Sequence, residues 1–135
     1  MIVGAGAAGG AAAAHLSSGG HDVVLLERDP EPRIKPCGGG MAASVQQWFP
    51  FSLEPAVEQV VRQVDFSWCL RDPVVAELPG ESPFWIVRRE RLDRLLADQA
   101  GQNGAECHVG VTVTDVVQGN DHWSVIAADG QRWRT

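Results

Sequence analysis

The chain opens with a short apolar run that leads directly into closely spaced glycines. Met1-Ile2-Val3 has the character of a β-strand, and Gly4-Ala5-Gly6-Ala7-Ala8-Gly9-Gly10 follows it before an alanine-rich stretch that reaches Leu16. Alanine is the strongest helix former, and Gly19-Gly20 supplies a helix stop. The predicted order is therefore strand, tight turn and helix.

A second apolar run completes a βαβ unit. Asp22–Leu26 is short and continuous, as in strands that are buried within a parallel sheet, and Glu27 ends it. The glycines follow the pattern GxGxxG. In that pattern Gly4 permits the tight turn, Gly6 lets the backbone approach a pyrophosphate, and Gly9 lets the helix pack closely on the strand.

This unit predicts a dinucleotide whose anion lies at the helix N-terminus, where unpaired N–H groups and the helix dipole favour negative charge. Glu27 lies eighteen residues after Gly9, close to the ~20-residue offset of an acid that binds ribose. An acid disfavours a 2′-phosphate, so FAD or NAD is favoured over NADP. Arg28 weakens the argument against NADP, because this side chain could bind a phosphate, stack on adenine or lie on the surface. The alternative is a helix packed on a sheet with Glu27 merely solvated.

After Glu27 the chain leaves the repeating βα pattern of a simple dehydrogenase, which favours FAD over NAD. Residues 28–36 are charged and proline-rich and predict a loop, and Cys37-Gly38-Gly39-Gly40 presents bare backbone that a flat, bulky group could approach. A short helix is predicted over Met41–Phe49.

The remaining residues predict further strands and one helix. The helix covers Arg89–Ala100 and ends at Gly101 and Gly104. The last third predicts a three-stranded meander with a hairpin turn at Asp129-Gly130. The strand runs are Val57–Leu70, Val74–Leu78 after a turn at Asp72-Pro73, Phe84–Val87, Cys107–Val109, Val111–Val117, Trp123–Ala127 and Arg132–Arg134. The five tryptophans are interpreted as core and sheet-face residues.

Composition excludes several function classes. Eleven Lys and Arg residues against seventeen Asp and Glu residues give a net charge of −6, without the basic footprint of a nucleic-acid binder. The three cysteines form no CxxC pair and indicate a reducing compartment, so a cytoplasmic location is predicted. The four histidines lack HExxH spacing, so no metal site is predicted, and GxSxG and GxxxxGK[ST] do not occur.

Four segments together resemble the N-terminal part of the geranylgeranyl reductase family, FAD-dependent oxidoreductases of the aromatic-hydroxylase-like flavoprotein group. They are GAGAAGG, Glu27, the run Arg33–Gly40 with its KPCGGG, and Arg89–Leu96. The resemblance implies an α/β fold: a Rossmann-type FAD-binding domain with a β-meander, plus the start of an antiparallel substrate-domain sheet. Residues 1–56 and 89–135 would form the FAD-binding part, and residues 57–88 the beginning of the substrate-binding sheet. The chain would be a truncated portion of a longer fold.

The resemblance also implies roles for individual residues. The FAD pyrophosphate would lie against Gly4, Gly6, Ala7, Ala8 and Gly9, and Glu27, with Arg28 beside it, would hold the adenosine ribose.

Other roles come from the later segments. Arg89 would lie near the pyrophosphate, with Leu92 in place of the Phe of the family's RxxFD pattern. Cys37, Gly38 and Gly39 would lie beside the isoalloxazine, and Val113 near the adenine. On composition alone, Arg89 reads as a solvated charge and Cys37 as a small loop residue. No catalytic group can be named.

For function, the resemblance implies hydride transfer from reduced flavin to a carbon–carbon double bond of a small isoprenoid substrate, with NAD(P)H as the electron donor of the whole enzyme. An isoprenoid substrate would place that enzyme peripherally at a membrane. One alternative is an FAD-dependent monooxygenase of the hydroxylase type. Another is a non-catalytic dinucleotide-binding fragment, or half of a split protein with a complementary C-terminal half.

Overall fold

The computed structural model describes residues 1–81 and 83–135, which divide into two compact units. The first comprises Met1–Ile34 and Asp93–Thr135, and the second comprises Lys35–Leu92. Ser82, inside the predicted 57–88 segment, lies outside the described residues. The assignment of that segment to a substrate-binding sheet stays a prediction.

The first unit contains a parallel sheet with the strand order β1-β2-β8. These strands are β1 (Ile2–Val3), β2 (Val24–Glu27) and β8 (Glu106–Val109). Leu25 of β2 pairs with Ile2 on one side and with Cys107 on the other. Leu25 and Leu26 are almost fully buried, as a continuous apolar strand in a parallel sheet should be. The α/β fold and the βαβ unit predicted from the sequence are confirmed.

Helix α1 (Ala7–Ser18) connects β1 to β2. Gly19 caps its C-terminus, and the Gly19 N–H donates to the carbonyls of His15 and Leu16, as the glycine pair predicted. A second helix, α2 (Arg89–Gln102), buries Leu96 and Ala100. A Cβ at Gly10 would lie 2.9 Å from the Leu96 Cβ, so the missing side chain allows α1 to pack tightly against α2.

The first unit also contains the predicted meander. Its strands are β9 (Val113–Gln118), β10 (Trp123–Ala127) and β11 (Arg132–Arg134), all antiparallel with β10 in the centre. Gly130, with φ at +85°, occupies the turn between β10 and β11. The sequence did not assign β8 to the parallel sheet, since a four-residue strand that includes Glu106 and His108 carries no sign of its partner.

The second unit contains two antiparallel sheets. One has the order β3-β7-β4, from β3 (Gly40–Ala42), β4 (Val57–Val61) and β7 (Phe84–Val87). The other is a hairpin of β5 (Gln63–Trp68) and β6 (Arg71–Glu77).

Three local predictions in this unit need correction. The short helix expected over Met41–Phe49 is present only in part, as a 3-10 helix over Ala43–Trp48, because Met41 belongs to β3 and pairs with Trp85. The single strand expected over Val57–Leu70 is divided between β4 and β5. The turn lies at Cys69 and Leu70, both with positive φ, rather than at Asp72-Pro73.

The tryptophans are also more exposed than expected. Trp85 is 6% exposed and belongs to the core, whereas Trp48 and Trp68 are 68% and 77% exposed. Across residues 1–81 and 83–135, no helix is both long enough and apolar enough to cross a bilayer.

Candidate dinucleotide-binding site

The glycine turn between β1 and α1 has the geometry that the sequence predicts. Gly4 has φ at +93° and donates its N–H to the carbonyl of Leu26 at 2.7 Å, which fastens the turn to β2. This φ favours glycine over residues with a side chain. A Cβ at Gly4 would have open space around it, so one side of the turn is accessible.

The helix N-terminus lies directly after this turn. Gly6 is the N-cap residue, and its carbonyl accepts the first helical hydrogen bond, from Gly10, at 2.8 Å. Glycine has no side chain with which to cap the N–H groups of the first turn, which here consists of Ala7, Ala8 and Gly9. The first turn contains no acidic residue. Its positive dipole end therefore keeps its capacity to bind an anion.

Gly9 is required for packing. A Cβ at this position would lie 1.8 Å from the Gly4 carbonyl oxygen and 3.3 Å from Cγ2 of Ile2. Both atoms belong to the strand and the turn that α1 covers. The sequence interpretation of Gly9 as the residue that lets helix and strand approach each other agrees with this geometry.

Glu27 lies at the end of β2 and is 7% exposed. Its Oε2 accepts a hydrogen bond from the Ala5 N–H at 2.6 Å, and its Oε1 accepts one from the Asp29 N–H at 2.9 Å. Burial alone would raise the pKa of this carboxyl, but the two N–H groups and the positive charge of Arg33 outweigh burial and lower the pKa. The alternative of a solvated Glu27 is wrong.

Arg33 is the residue that sequence reasoning missed. Its side chain is 4% exposed although it lies in an irregular loop. Nη1 donates to Glu27 Oε2 at 2.5 Å, and Nη2 donates to the Ala5 carbonyl at 2.7 Å. Its only sequence signal is a cation six residues after the acid, and a charged, proline-rich loop gives no indication of which cation folds inward.

A small cavity of about 20 Å³ adjoins this carboxylate, a volume that suits about one water molecule. Burial raises the pKa of the Cys107 thiol in its wall, with a further rise from the charge of Asp98. His108 contacts Glu106 at 3.4 Å. The lining residues are Ala5, Leu25, Glu27, Asp29, Glu31, Arg33, Ala97, Cys107, His108 and Val109.

Two further predicted residues of the first unit take no part in this network. Arg28 is exposed and pairs with Asp29 at 3.1 Å. The hydrogen bond from Asp29 and its charge raise the pKa of Arg28, which leaves it positive at any ordinary pH. Val113 is half-buried in β9, opposite Ala127 at a register shift.

The other predicted residues belong to the second unit. Cys37 and Gly38 are exposed, and the Gly39 N–H donates to the Cys37 Sγ at 3.4 Å. Gly39 is buried with φ at +71°, and a Cβ there would lie 1.9 Å from the Val87 carbonyl oxygen. Gly39 therefore has a structural role in the pairing of β3 with β7. Arg89 is half-buried at the first position of α2.

The first unit thus joins an uncapped helix N-terminus, an accessible glycine turn and a buried acid, with Ala5 of the turn hydrogen-bonded to that acid. These residues fit an adenine dinucleotide, because they can accept a ribose hydroxyl and donate to a pyrophosphate.

Comparison with known proteins agrees with this fit. Residues 2–63 match the family model described as NAD(P)-binding Rossmann-like domain. These residues therefore resemble a Rossmann-like dinucleotide-binding domain. The strands, the helix and the acid that form the site, β1 to Glu27, all lie within the matched part of this domain.

Curated relatives extend the similarity beyond the Rossmann-like domain. The chain is 31% identical over 141 residues to a probable electron transfer flavoprotein-quinone oxidoreductase of Escherichia coli, covering 96% of this chain and 33% of that protein. It is 36% identical over 109 residues to a chloroplastic geranylgeranyl diphosphate reductase of Oryza sativa, covering 78% of this chain and 23% of the reductase. The resemblance to geranylgeranyl reductases is confirmed, and the chain spans a third or less of these relatives.

Solved structures show the same fold. A geranylgeranyl bacteriochlorophyll reductase-like protein from Thermoplasma acidophilum superposes with a TM-score of 0.81 at 18% identity, covering 98% of this chain and 35% of that one. The halogenase PltM in complex with phloroglucinol and FAD superposes with a TM-score of 0.76 at 16% identity, covering 99% of this chain and 32% of that one. At these identities the likeness concerns the fold alone.

Proposed function

We propose that this chain is the FAD-binding portion of a flavin-dependent oxidoreductase. One observation carries the proposal: the buried Glu27 carboxylate accepts the Ala5 N–H at 2.6 Å. The acid and the glycine turn are therefore a single site. An acid that only packed against the sheet would not require a hydrogen bond to the glycine turn, which is the turn that an adenine dinucleotide needs.

Each residue of this site has a role in the proposal. The N–H groups at the start of α1 donate to the pyrophosphate, and Gly6 leaves room for it to approach the backbone. Glu27 accepts a hydrogen bond from the adenosine ribose. Three of about four acceptor positions on its carboxylate are occupied by Ala5, Asp29 and Arg33, so one position on Oε1 remains for a hydroxyl group.

FAD is preferred to a nicotinamide dinucleotide for two reasons. After Glu27 the chain runs through an irregular loop into the antiparallel second unit instead of another βα unit. In addition, the E. coli relative is described as acting with a flavoprotein, and the halogenase of the same fold was solved with FAD. The roles of Cys37, Gly38, Gly39, Arg89 and Val113 toward the cofactor belong to this proposal.

The reaction we propose is reduction of an isoprenoid carbon–carbon double bond by the whole protein, because of the similarity to geranylgeranyl diphosphate reductases. Bound flavin would supply the hydride, and NAD(P)H is the proposed donor that reduces it again. This chain's own residues bind and orient the dinucleotide. A cytoplasmic location with peripheral contact to a membrane would suit such a substrate.

Electron transfer to a quinone is a second candidate. It is favoured by the E. coli relative, whose match covers 96% of this chain, against 78% for the rice reductase. The two candidates share the FAD-binding portion and differ in the substrate.

The experiment is an absorption spectrum of the purified chain after incubation with FAD and desalting, with circular dichroism on the same sample. A flavin spectrum that stays with the folded chain supports the proposal. Gly6→Val should lose that spectrum, because a side chain would occupy the approach of the pyrophosphate. Gly101→Ala, on the open side of α2, is the matched control and should keep it. A folded wild-type chain that retains NAD but no FAD would overturn the assignment of cofactor.

A further inference from the structure

The loop after β2 contains a buried cation that the dinucleotide fingerprint does not require. Arg33 is 5% exposed, whereas Ile34 beside it is 90% exposed. Turning a guanidinium inward from a surface loop is unfavourable unless its donors find acceptors. Those acceptors are the Glu27 carboxylate and the Ala5 carbonyl.

These contacts connect two separate parts of the site. Glu27 ends β2, and Ala5 lies in the glycine turn. Arg33 bonds to both through different nitrogens, and the Ala5 N–H bonds back to the same carboxylate oxygen. The planar guanidinium suits such a two-pronged contact, which the point charge of a lysine cannot reproduce.

We propose that Arg33 is a positioning residue of the dinucleotide site, which fixes Glu27 against the glycine turn and keeps its carboxylate ionised for the ribose hydroxyl. The inference rests on the proposed function, since it assigns the ribose to Glu27. Both terminal nitrogens of the Arg33 guanidinium donate to protein acceptors, so Arg33 would act on the dinucleotide through Glu27 and the glycine turn.

Other charged groups around Glu27 do not replace Arg33. Asp29, Glu31, Cys107 and His108 line the same cavity. Asp29 adds negative charge, which opposes ionisation of Glu27. The nearby basic side chains contact other residues: Arg28 pairs with Asp29, Arg94 with Glu31 and Asp98, and His108 contacts Glu106. Removing Arg33 therefore leaves a buried carboxylate with two N–H donors and, among the residues that the structure describes, no paired cation.

The test compares the full chain with Arg33→Met, Arg33→Lys and the exposed control Arg132→Met. FAD dissociation constants are measured by fluorescence from about pH 8 to about pH 5, a range that spans a raised carboxyl pKa. We expect Arg33→Met to bind FAD about tenfold more weakly at the upper pH, and to weaken further as the pH falls and Glu27 becomes protonated. The wild type and Arg132→Met should bind FAD independently of pH over most of this range.

Arg33→Lys should restore the pH-independent binding of FAD but only part of the affinity. Lysine supplies the positive charge but lacks the planar set of donors of the guanidinium. If Arg33→Met does not fold, this variant carries the test, and wild-type affinity in Arg33→Lys would overturn the proposal. A purely structural role would lower the unfolding temperature of Arg33→Met and weaken binding equally at every pH, which also overturns it.

A second readout needs no ligand. Carbon-13 NMR of the Glu27 carboxyl gives its pKa in each variant, and Arg33→Met should raise it. An unchanged pKa would overturn the inference even if FAD binds. Failure of the wild-type chain to bind FAD, together with a raised Glu27 pKa in Arg33→Met, would instead reject the proposed function and retain Arg33 as the group that keeps Glu27 ionised.

Discussion

Glu27 illustrates how a single residue can combine burial with full ionisation. Burial disfavours its charge, yet the N–H groups of Asp29 and Ala5 and the charge of Arg33 reverse that effect. Because the pKa in the folded chain is lowered, the carboxylate contributes stability above its ordinary pKa of about 4.5. That contribution is lost as the pH falls through the lowered value.

Glu27→Gln should therefore destabilise the chain by about 3 kcal/mol at neutral pH, because it leaves the Arg33 charge buried without its partner. The measurement is urea unfolding at a series of pH values. The difference in unfolding free energy between wild type and Glu27→Gln should shrink as the pH falls below about 4.5. A difference that is constant with pH would contradict the lowered pKa.

Gly9→Ala should be destabilising by roughly 1–3 kcal/mol, since its Cβ would lie 1.8 Å from the Gly4 carbonyl oxygen and the helix would have to move. Gly101→Ala is the control, because its Cβ meets open space on α2 and alanine favours helix by about 0.5–1 kcal/mol. Thermal unfolding of both variants should show shifts of opposite sign. Equal shifts in unfolding temperature would mean that the glycine turn can move to accommodate the added methyl group at no cost in stability.

At this scale the sequence predicted the residues whose role follows from spacing. Gly4, Gly9 and Glu27 lie where the fingerprint requires them, and their geometry agrees with it. Arg33 could not be predicted, because its burial depends on acceptors brought together by two distant segments. The packing role of Gly39 against Val87 was also not predicted, because it depends on the pairing of β3 with β7; its place beside a ligand stays a prediction.

Elements formed by local signals were predicted well. The helix α1, bounded by glycines, and the meander, with its Asp129-Gly130 turn, agree with the structure. Elements that depend on distant partners were predicted less well. Met41, for example, becomes part of a strand only because it pairs with Trp85. The strand β8 was predicted, but its place beside β2 was not, because that place is set by contacts over about eighty residues of chain, as in non-local sheets generally.

Within β3 and β7, Gly39→Ala should disrupt the pairing, because the positive φ and the 1.9 Å approach to the Val87 oxygen both exclude a side chain. We expect a loss of at least about 1–3 kcal/mol. Hydrogen exchange should show faster exchange of the Val87 amide, which bonds to the Gly39 carbonyl at 2.9 Å. Gly38→Ala, which meets no atom within 4 Å, should leave that amide protected.

The β5–β6 hairpin should influence solubility. Phe66, Trp68 and Val74 are all more than half exposed on its two strands, and exposed apolar strands favour self-association. Replacing Phe66 and Trp68 by serine should reduce light scattering at high protein concentration without lowering the unfolding temperature. If the light scattering of this variant equals that of the wild type, the chain self-associates through another surface.

For the whole molecule, the net charge of −6 opposes the approach of an anionic dinucleotide at long range. The helix N-terminus attracts the pyrophosphate only at short range. The association rate of FAD should therefore increase as salt is raised from about 0.01 M to about 0.15 M, where screening shortens the reach of the repulsion to about 8 Å. Stopped-flow quenching of flavin fluorescence measures this rate. A rate that falls with salt would indicate a positive field around the site.

The contact of Arg33 with Ala5 and Glu27 also affects the entropy of binding. A loop that is fastened by a buried ion pair loses its conformational freedom when the chain folds, so little freedom remains to be lost when a ligand arrives. Association should then show a small entropic penalty in calorimetry and no slow ordering phase. The loop between Glu27 and Ile34 is in this sense a preformed wall of the site, although it has no regular secondary structure.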